Sequence, residues 1–120
     1  MLDLSHKKLD VYIISLNLVK ETYNITNQFP LEEKYTLTSQ LKRAAISVSS
    51  NIAEGAARIS KQEKKRFFEI ARSSVVEIDT QIEIALLLEY VHKKDLEQLY
   101  TFIESVFKIL SKLISNLNTN

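Results

Sequence analysis

Two histidines and no cysteine, in a chain of 120 residues, leave few routes to metal or covalent chemistry. A helical bundle can hold a pair of metal ions when two helices each offer Glu-x-x-His and the other two a glutamate. Glu89-Tyr90-Val91-His92 meets that spacing once, and Asp3-Leu4-Ser5-His6 imitates it near the N-terminus. Both histidines fall near expected helix ends, where His6 and His92 are expected to face solvent without a ligand role. No glycine-rich phosphate loop is present, and no serine–histidine pair sits in a triad context. The expected catalytic residues, metal ligands and cofactors are therefore none.

A second set of polar residues is more regular. Gln40, Arg43, Ser47, Asn51, Glu54 and Arg58 recur at spacings of three and four, about 100° round the helix from an apolar stripe. Around them Ala44, Ala53, Gly55, Ala56 and Ala57 are small enough for another backbone to approach. If the next helix folds back through a turn near residues 58–60, Arg43 lies level with Glu77, Ser47 with Arg72, and Glu54 with residues 64–66. Enclosed polar side chains must pair, so this stripe is expected to form a structural network that sets helix register. A ligand pocket around Asn51 and Glu54 is the sharper alternative. Gly55, the only glycine, costs about 1 kcal/mol in a helix interior. Its presence implies either a close contact or a loosened final turn.

Charge supplies the third pattern. The formal net charge is only +1, yet Arg58, Lys61, Lys64, Lys65, Arg66 and Arg72 face two acids over residues 58–72. Residues 73–104 reverse the balance, with seven acids against two lysines. Lysines in the first turns of a helix oppose its dipole, at a cost of a few tenths of a kcal/mol each, so something nearby favours positive charge. A nucleic-acid phosphate backbone would. So would water, or the carbonyl end of the preceding helix. No aromatic-interleaved RNA platform is expected, because Phe67 fits a core stripe.

These residues need helices to position them. One glycine and one proline provide almost no turn chemistry for strands. Helices are expected at about 6–28, 31–57, 61–91 and 96–117, in a single domain spanning 1–120. Pro30 stops the first, whose apolar residues form two stripes: Leu9, Ile13, Leu16 and Tyr23, then Val11, Ile14, Leu18 and Ile25. The second helix begins at Leu31 or restarts near Thr38, with Leu37, Leu41, Ala45, Val48 and Ile52 inward. Ser60-Lys61-Gln62-Glu63 has the capping-box form, and Phe67, Ala71, Val75, Ile78, Ile82 and Ala85 continue as a stripe. Asp95 is the expected cap of a fourth helix, whose ladder runs Leu96, Leu99, Ile103, Val106, Leu110, Leu113 and Leu117.

The simplest packing is all-α, an antiparallel up-down-up-down four-helix bundle. Two stripes on the first helix, and the run Ile84 to Leu88, exceed what such a bundle can bury, so a homo-oligomer is expected. No run of about 18 uncharged apolar residues could span a membrane, and the N-terminus lacks the apolar core of a signal peptide, so the expected location is cytoplasmic.

The stretch from Tyr35 to Ala85 also resembles a known family signature, carried by Leu37 to Gln40, Lys42-Arg43, Ala44-Ala45, Ser50 to Gly55, Ala71-Arg72 and Glu77, after Phe29-Pro30. It is similar to the bacterial four-helix-bundle proteins of the 23S rRNA intervening-sequence type. Ser73 stands where that family often has glycine, and Ser49 where it often has proline. The resemblance implies an antiparallel four-helix bundle assembling as a ring-shaped pentamer, with no catalytic activity. It also implies a gene associated with an inserted segment of 23S rRNA genes, and RNA as a partner by that setting. A related branch serves as accessory protein to reverse transcriptases. Arg58, Lys61, Lys64, Lys65, Arg66 and Arg72 are the expected nucleic-acid contacts, repeated around the ring. The alternative function is a protein-interaction scaffold, or an accessory subunit for a nucleic-acid enzyme such as a reverse transcriptase.

Overall fold

The computed structural model describes residues 1–118, with only the backbone described at His6 and Lys8; the expected exposure of the His6 side chain lies outside those residues. Four α-helices form, α1 (Asp10–Thr26), α2 (Leu37–Ala57), α3 (Lys61–Leu87) and α4 (Glu97–Leu117), with no strand among the described residues. Short 3-10 turns at Ser5–Lys8, Leu31–Glu33 and Lys93–Leu96 precede α1, α2 and α4. α2 packs on α3 and α1, and α4 closes the square by packing on α3 and α1.

The helices surround one core. Leu18, Leu41, Ile52, Ile78, Ile82, Leu99 and Leu110 are among its fully buried side chains. Of the two stripes on α1, the inward one holds Val11, Leu18 and Ile25, while Leu9, Ile13, Leu16 and Tyr23 remain exposed. All five expected core residues of α2 are buried. On α3 the inward phase starts one residue later than expected. Phe68 is buried and Phe67 only half-buried, the Phe68 ring packing beside Gly55 of α2. On α4 the stripe rotates near its end, burying Ile114 while Leu113 and Leu117 stay half-exposed.

Cross-helix pairs set the register. Ser15 on α1 meets Ser49 on α2 with their hydroxyl oxygens 2.9 Å apart, and Lys42 lies over the Tyr23 ring, 4.6 Å from its centre. Ser74 donates to Ser47 at 3.0 Å, and Gln81 reaches Gln40 at 3.4 Å. In these contacts between α1 and α2 and between α2 and α3, residue numbers fall on one partner as they rise on the other.

Four boundaries differ from the sequence expectation. α1 begins at Asp10, since Leu9 is extended and the residues before it form a 3-10 turn. α2 begins at Leu37, the restart expected near Thr38 and not the start at Leu31; Glu33 turns its carboxylate onto the Thr36 hydroxyl and the Leu37 amide, satisfying a helix start that Pro30 does not reach. α3 ends at Leu87, four residues early. There Glu89 takes a left-handed backbone (φ 63°), its amide donating to the Leu86 carbonyl and that of Tyr90 to Ala85. That is the Schellman arrangement with glutamate where glycine is usual. Asp95 does not cap α4 with its side chain; it lies inside the 3-10 turn, and α4 starts at Glu97.

Candidate nucleic-acid interface

The turn between α2 and α3 is built by two local devices. Ser60 accepts a hydrogen bond from the Glu63 amide at 3.1 Å, the expected cap of α3. Gly55 supplies the close approach. A Cβ there would sit 2.7 and 2.8 Å from two atoms of the Phe68 ring, so only glycine admits the ring beside α2.

The basic residues divide by what they touch. Lys64 Nζ donates to the carbonyls of Ala56 (3.0 Å) and Gly55 (3.4 Å), at the negative end of α2. Arg58 pairs with Glu54 at 2.9 Å and approaches Glu63 at 3.8 Å. Arg72 faces α4, donating to the Ser111 hydroxyl at 3.3 Å and lying 6.0 Å from the centre of the Phe107 ring. Lys61, Lys65 and Arg66 form no ion pair among the described residues. Phe67 lies against this group with the guanidinium of Arg58 at 4.8 Å and that of Arg66 at 5.8 Å from its ring centre. Placed in the core by its sequence position, Phe67 instead joins the basic surface as an aromatic support.

This end of the molecule gathers charge from all four helices. Ser5, Leu9, Ala56, Lys64, Leu113 and Asn116 border one shallow pocket, bringing the residues before α1 and the end of α4 beside the α2–α3 turn. The segments feeding this end, 1–17, 49–72 and 107–118, hold ten Lys and Arg against five Asp and Glu. The remainder holds six against ten.

The polar stripe of α2 is only partly brought together. Asn51 donates to the carbonyl (2.8 Å) and hydroxyl (3.0 Å) of Ser47, which accepts from Ser74. Gln81 spans Gln40 and Glu77, at 3.4 Å to each, and its own carbonyl oxygen is buried without a partner. The expected pairing of Ser47 with Arg72 does not form, since Arg72 turns to α4. Arg43 makes no ion pair with Glu77, and Glu54 pairs with Arg58 on its own helix rather than with α3. No enclosed pocket forms around Asn51 and Glu54: Glu54 is exposed and Asn51 bonds within its own helix. Ser49, at the position where proline was expected, bonds Ser15 instead.

Two features carried no local sequence signal. Tyr90 donates to Glu33 at 2.7 Å, tying the α1–α2 connection to the α3–α4 connection, while its ring packs on Phe29 with centres 5.7 Å apart. Hydrogen bonds from Thr36, then Tyr90, hold the Glu33 carboxyl below its ordinary range, and the bond to Glu33 raises the Tyr90 phenol. Between α3 and α4 runs a groove of about 430 Å³, floored by Val76, Tyr100, Ile103 and Phe107 and edged by Asp79 and Glu104. Burial, with the charges of Asp79 and Glu83, pushes the Tyr100 phenol up.

The Glu89–His92 spacing does not make a metal half-site. It requires a continuous helix, and the chain leaves α3 before Glu89. Among the described residues no three His, Cys, Asp or Glu side chains cluster as metal ligands would, and no helix is long and apolar enough to cross a membrane.

Four helices about one core, with surface charge sorted along the molecule, define a helical-bundle protein. The chain belongs to the 23S rRNA-intervening sequence protein family, whose model matches residues 7–112. Its fold is similar to the crystal structure of a protein of unknown function from the S23 ribosomal protein family of Bacteroides thetaiotaomicron VPI-5482. That likeness has a TM-score of 0.77 at 20% identity, over 87% of this chain and 97% of the other, and is one of fold. No curated protein matches the chain.

Proposed function

We propose that this chain is a non-enzymatic, antiparallel four-helix bundle that assembles with copies of itself, as a ring such as a pentamer, and associates with RNA in the cytoplasm through its basic end. One observation carries the RNA reading. Lys61, Lys65 and Arg66 stand beside an Arg-stacked Phe67 without acidic partners, while neighbouring cations are committed to structure. Lys64 answers for its own unfavourable position at the start of α3 by capping α2; Lys61 and Lys65 have no such compensation. Phosphate contact supplies it, and repetition in an assembly strengthens weak contacts through avidity. Falling residue numbers across α1–α2 and α2–α3 support the antiparallel order, and the exposed stripe on α1 supports self-association.

The test is a gel shift with single-stranded and duplex RNA across a salt series. Binding is expected at low salt and should weaken at least tenfold when Lys61, Lys65 and Arg66 are changed to glutamine, but not when Lys64→Met removes only the α2 cap. No retention at low salt, or equal retention by the triple variant, contradicts the reading. The acid-edged α3–α4 groove supports a competing reading, in which it docks a protein such as a reverse transcriptase in place of another copy of this chain. Co-purification would then return a stoichiometric protein in place of RNA.

A further inference from the structure

Two opposite sides of the bundle are apolar, and their prevailing charges are of opposite sign. On the α1–α2 side, Leu9, Ile13, Leu16 and Tyr23 are each between 38% and 47% exposed, and Ile46 on α2 adds 46%. By the helical repeat, Lys20 falls within this α1 stripe. Lys42 lies over Tyr23, so the cations on this face come from both helices. Between the two helices Leu16, Val19 and Tyr12 meet Ile46 and Ala53 along a shallow groove of about 340 Å³. On the α3–α4 side, Val76 (49% exposed) and Phe107 (39%) flank the larger groove; Asp79, Glu83 and Glu104 outnumber the one cation placed there by its contact with Phe107, Arg72. Only Glu104 among these has a cationic partner, Lys108 at 3.0 Å, and that pair is well exposed.

We infer that these two sides are the halves of one interface, the α1–α2 face of one copy of this chain docking on the α3–α4 groove of the next. The inference rests on the self-association proposed above and assigns its surfaces. Apolar stripe meets apolar groove, and Lys20 and Lys42 come opposite Asp79 and Glu83. A face pairing with itself would instead set lysine against lysine, or acid against acid, within apolar surroundings where repulsion is poorly screened. Because the two faces lie across the square from each other, every docked copy presents a fresh face. Such head-to-tail contact closes into a ring or continues as a filament, and does not stop at a two-fold dimer.

The test uses the full chain and two substitutions at exposed positions, Leu16→Glu on one face and Val76→Arg on the other. Each adds charge of the sign its opposing face carries. Sedimentation at micromolar concentration should find the unsubstituted chain assembled and each variant a 13.8 kDa monomer. An equimolar mixture should recover assembly, because the intact α1–α2 face of a V76R chain meets the intact groove of an L16E chain. Circular dichroism checks that each variant keeps its helices; Ile46→Glu and Phe107→Lys replace any that does not. A monomeric unsubstituted chain contradicts self-association itself. Assembly that survives either substitution, or a mixture that stays monomeric, leaves self-association standing and overturns this pairing of faces.

Discussion

The two ends of the bundle use charge in opposite ways. At the acidic end, Glu33 is turned inward, accepting from Thr36, Tyr90 and the Leu37 amide, so a surface carboxylate stitches two connections together. At the basic end, Lys64 and Arg58 are similarly committed, one to helix carbonyls and one to two glutamates, but Lys61, Lys65 and Arg66 are left over. A charge held by its own protein contributes to register and capping. A charge with no such partner is the one available to a phosphate. The lesson is that counting cations overstates a binding surface: six were expected to contact nucleic acid, and half of them have structural work.

The comparison can be broken first at Gly55, where the basic end depends on helix proximity. Gly55→Ala places a Cβ against the buried Phe68 ring. Overpacking of about 1–3 kcal/mol outweighs the roughly 1 kcal/mol gained from alanine's helix propensity. A net loss of about 1 kcal/mol is expected in urea unfolding, recovered in part by adding Phe68→Leu. A neutral Gly55→Ala would mean that α2 and α3 do not approach as described.

The opposite end offers a change of the opposite sign. Glu89 holds a left-handed backbone that glycine adopts freely, and it adds a negative charge just past the negative end of α3. Glu89→Gly should therefore stabilise the fold by about 1 kcal/mol, raising the urea midpoint without changing its slope. Destabilisation would place the end of α3 elsewhere.

The smallest effect sharpens the account of Glu33. Its folded carboxyl is held below the ordinary value, so it contributes stability above that value, and this is lost as pH falls through the folded one. The Tyr90 phenol is raised, so its contribution is present below its ordinary range and fades as pH climbs through the raised one. Tyr90→Phe should flatten both limbs of a stability–pH curve relative to the unsubstituted chain. Unchanged limbs would remove the Glu33–Tyr90 tie.

How much of this was legible in sequence depends on whether the cause was local. The stripe of α2, that of α4 as far as Leu110, the Ser60 cap and the surplus apolar face of α1 all follow from spacing within one helix, and the structure keeps them. The end of α3 was hidden because its left-handed residue is glutamate, not glycine. Phe67 and Phe68 differ by one position, about 100° of helix, and both can be fitted to the same downstream stripe. Only the contact with Gly55 decides between them. Arg72 was placed against Ser47 because a hairpin register fixes height but not which neighbouring helix a long side chain turns toward. The Glu33–Tyr90 bond joins residues 57 positions apart, beyond any local pattern.

The most direct test of the division between committed and available cations is the salt dependence of RNA affinity, measured by fluorescence anisotropy on a single-stranded RNA. Each phosphate contact contributes roughly 0.7 to the slope of log K against log salt. Changing Lys61, Lys65 and Arg66 to glutamine should flatten that slope by about 2, whereas Lys64→Met should leave it unchanged. Equal slopes for the triple variant and the unsubstituted chain, or a loss confined to Lys64→Met, would contradict the account.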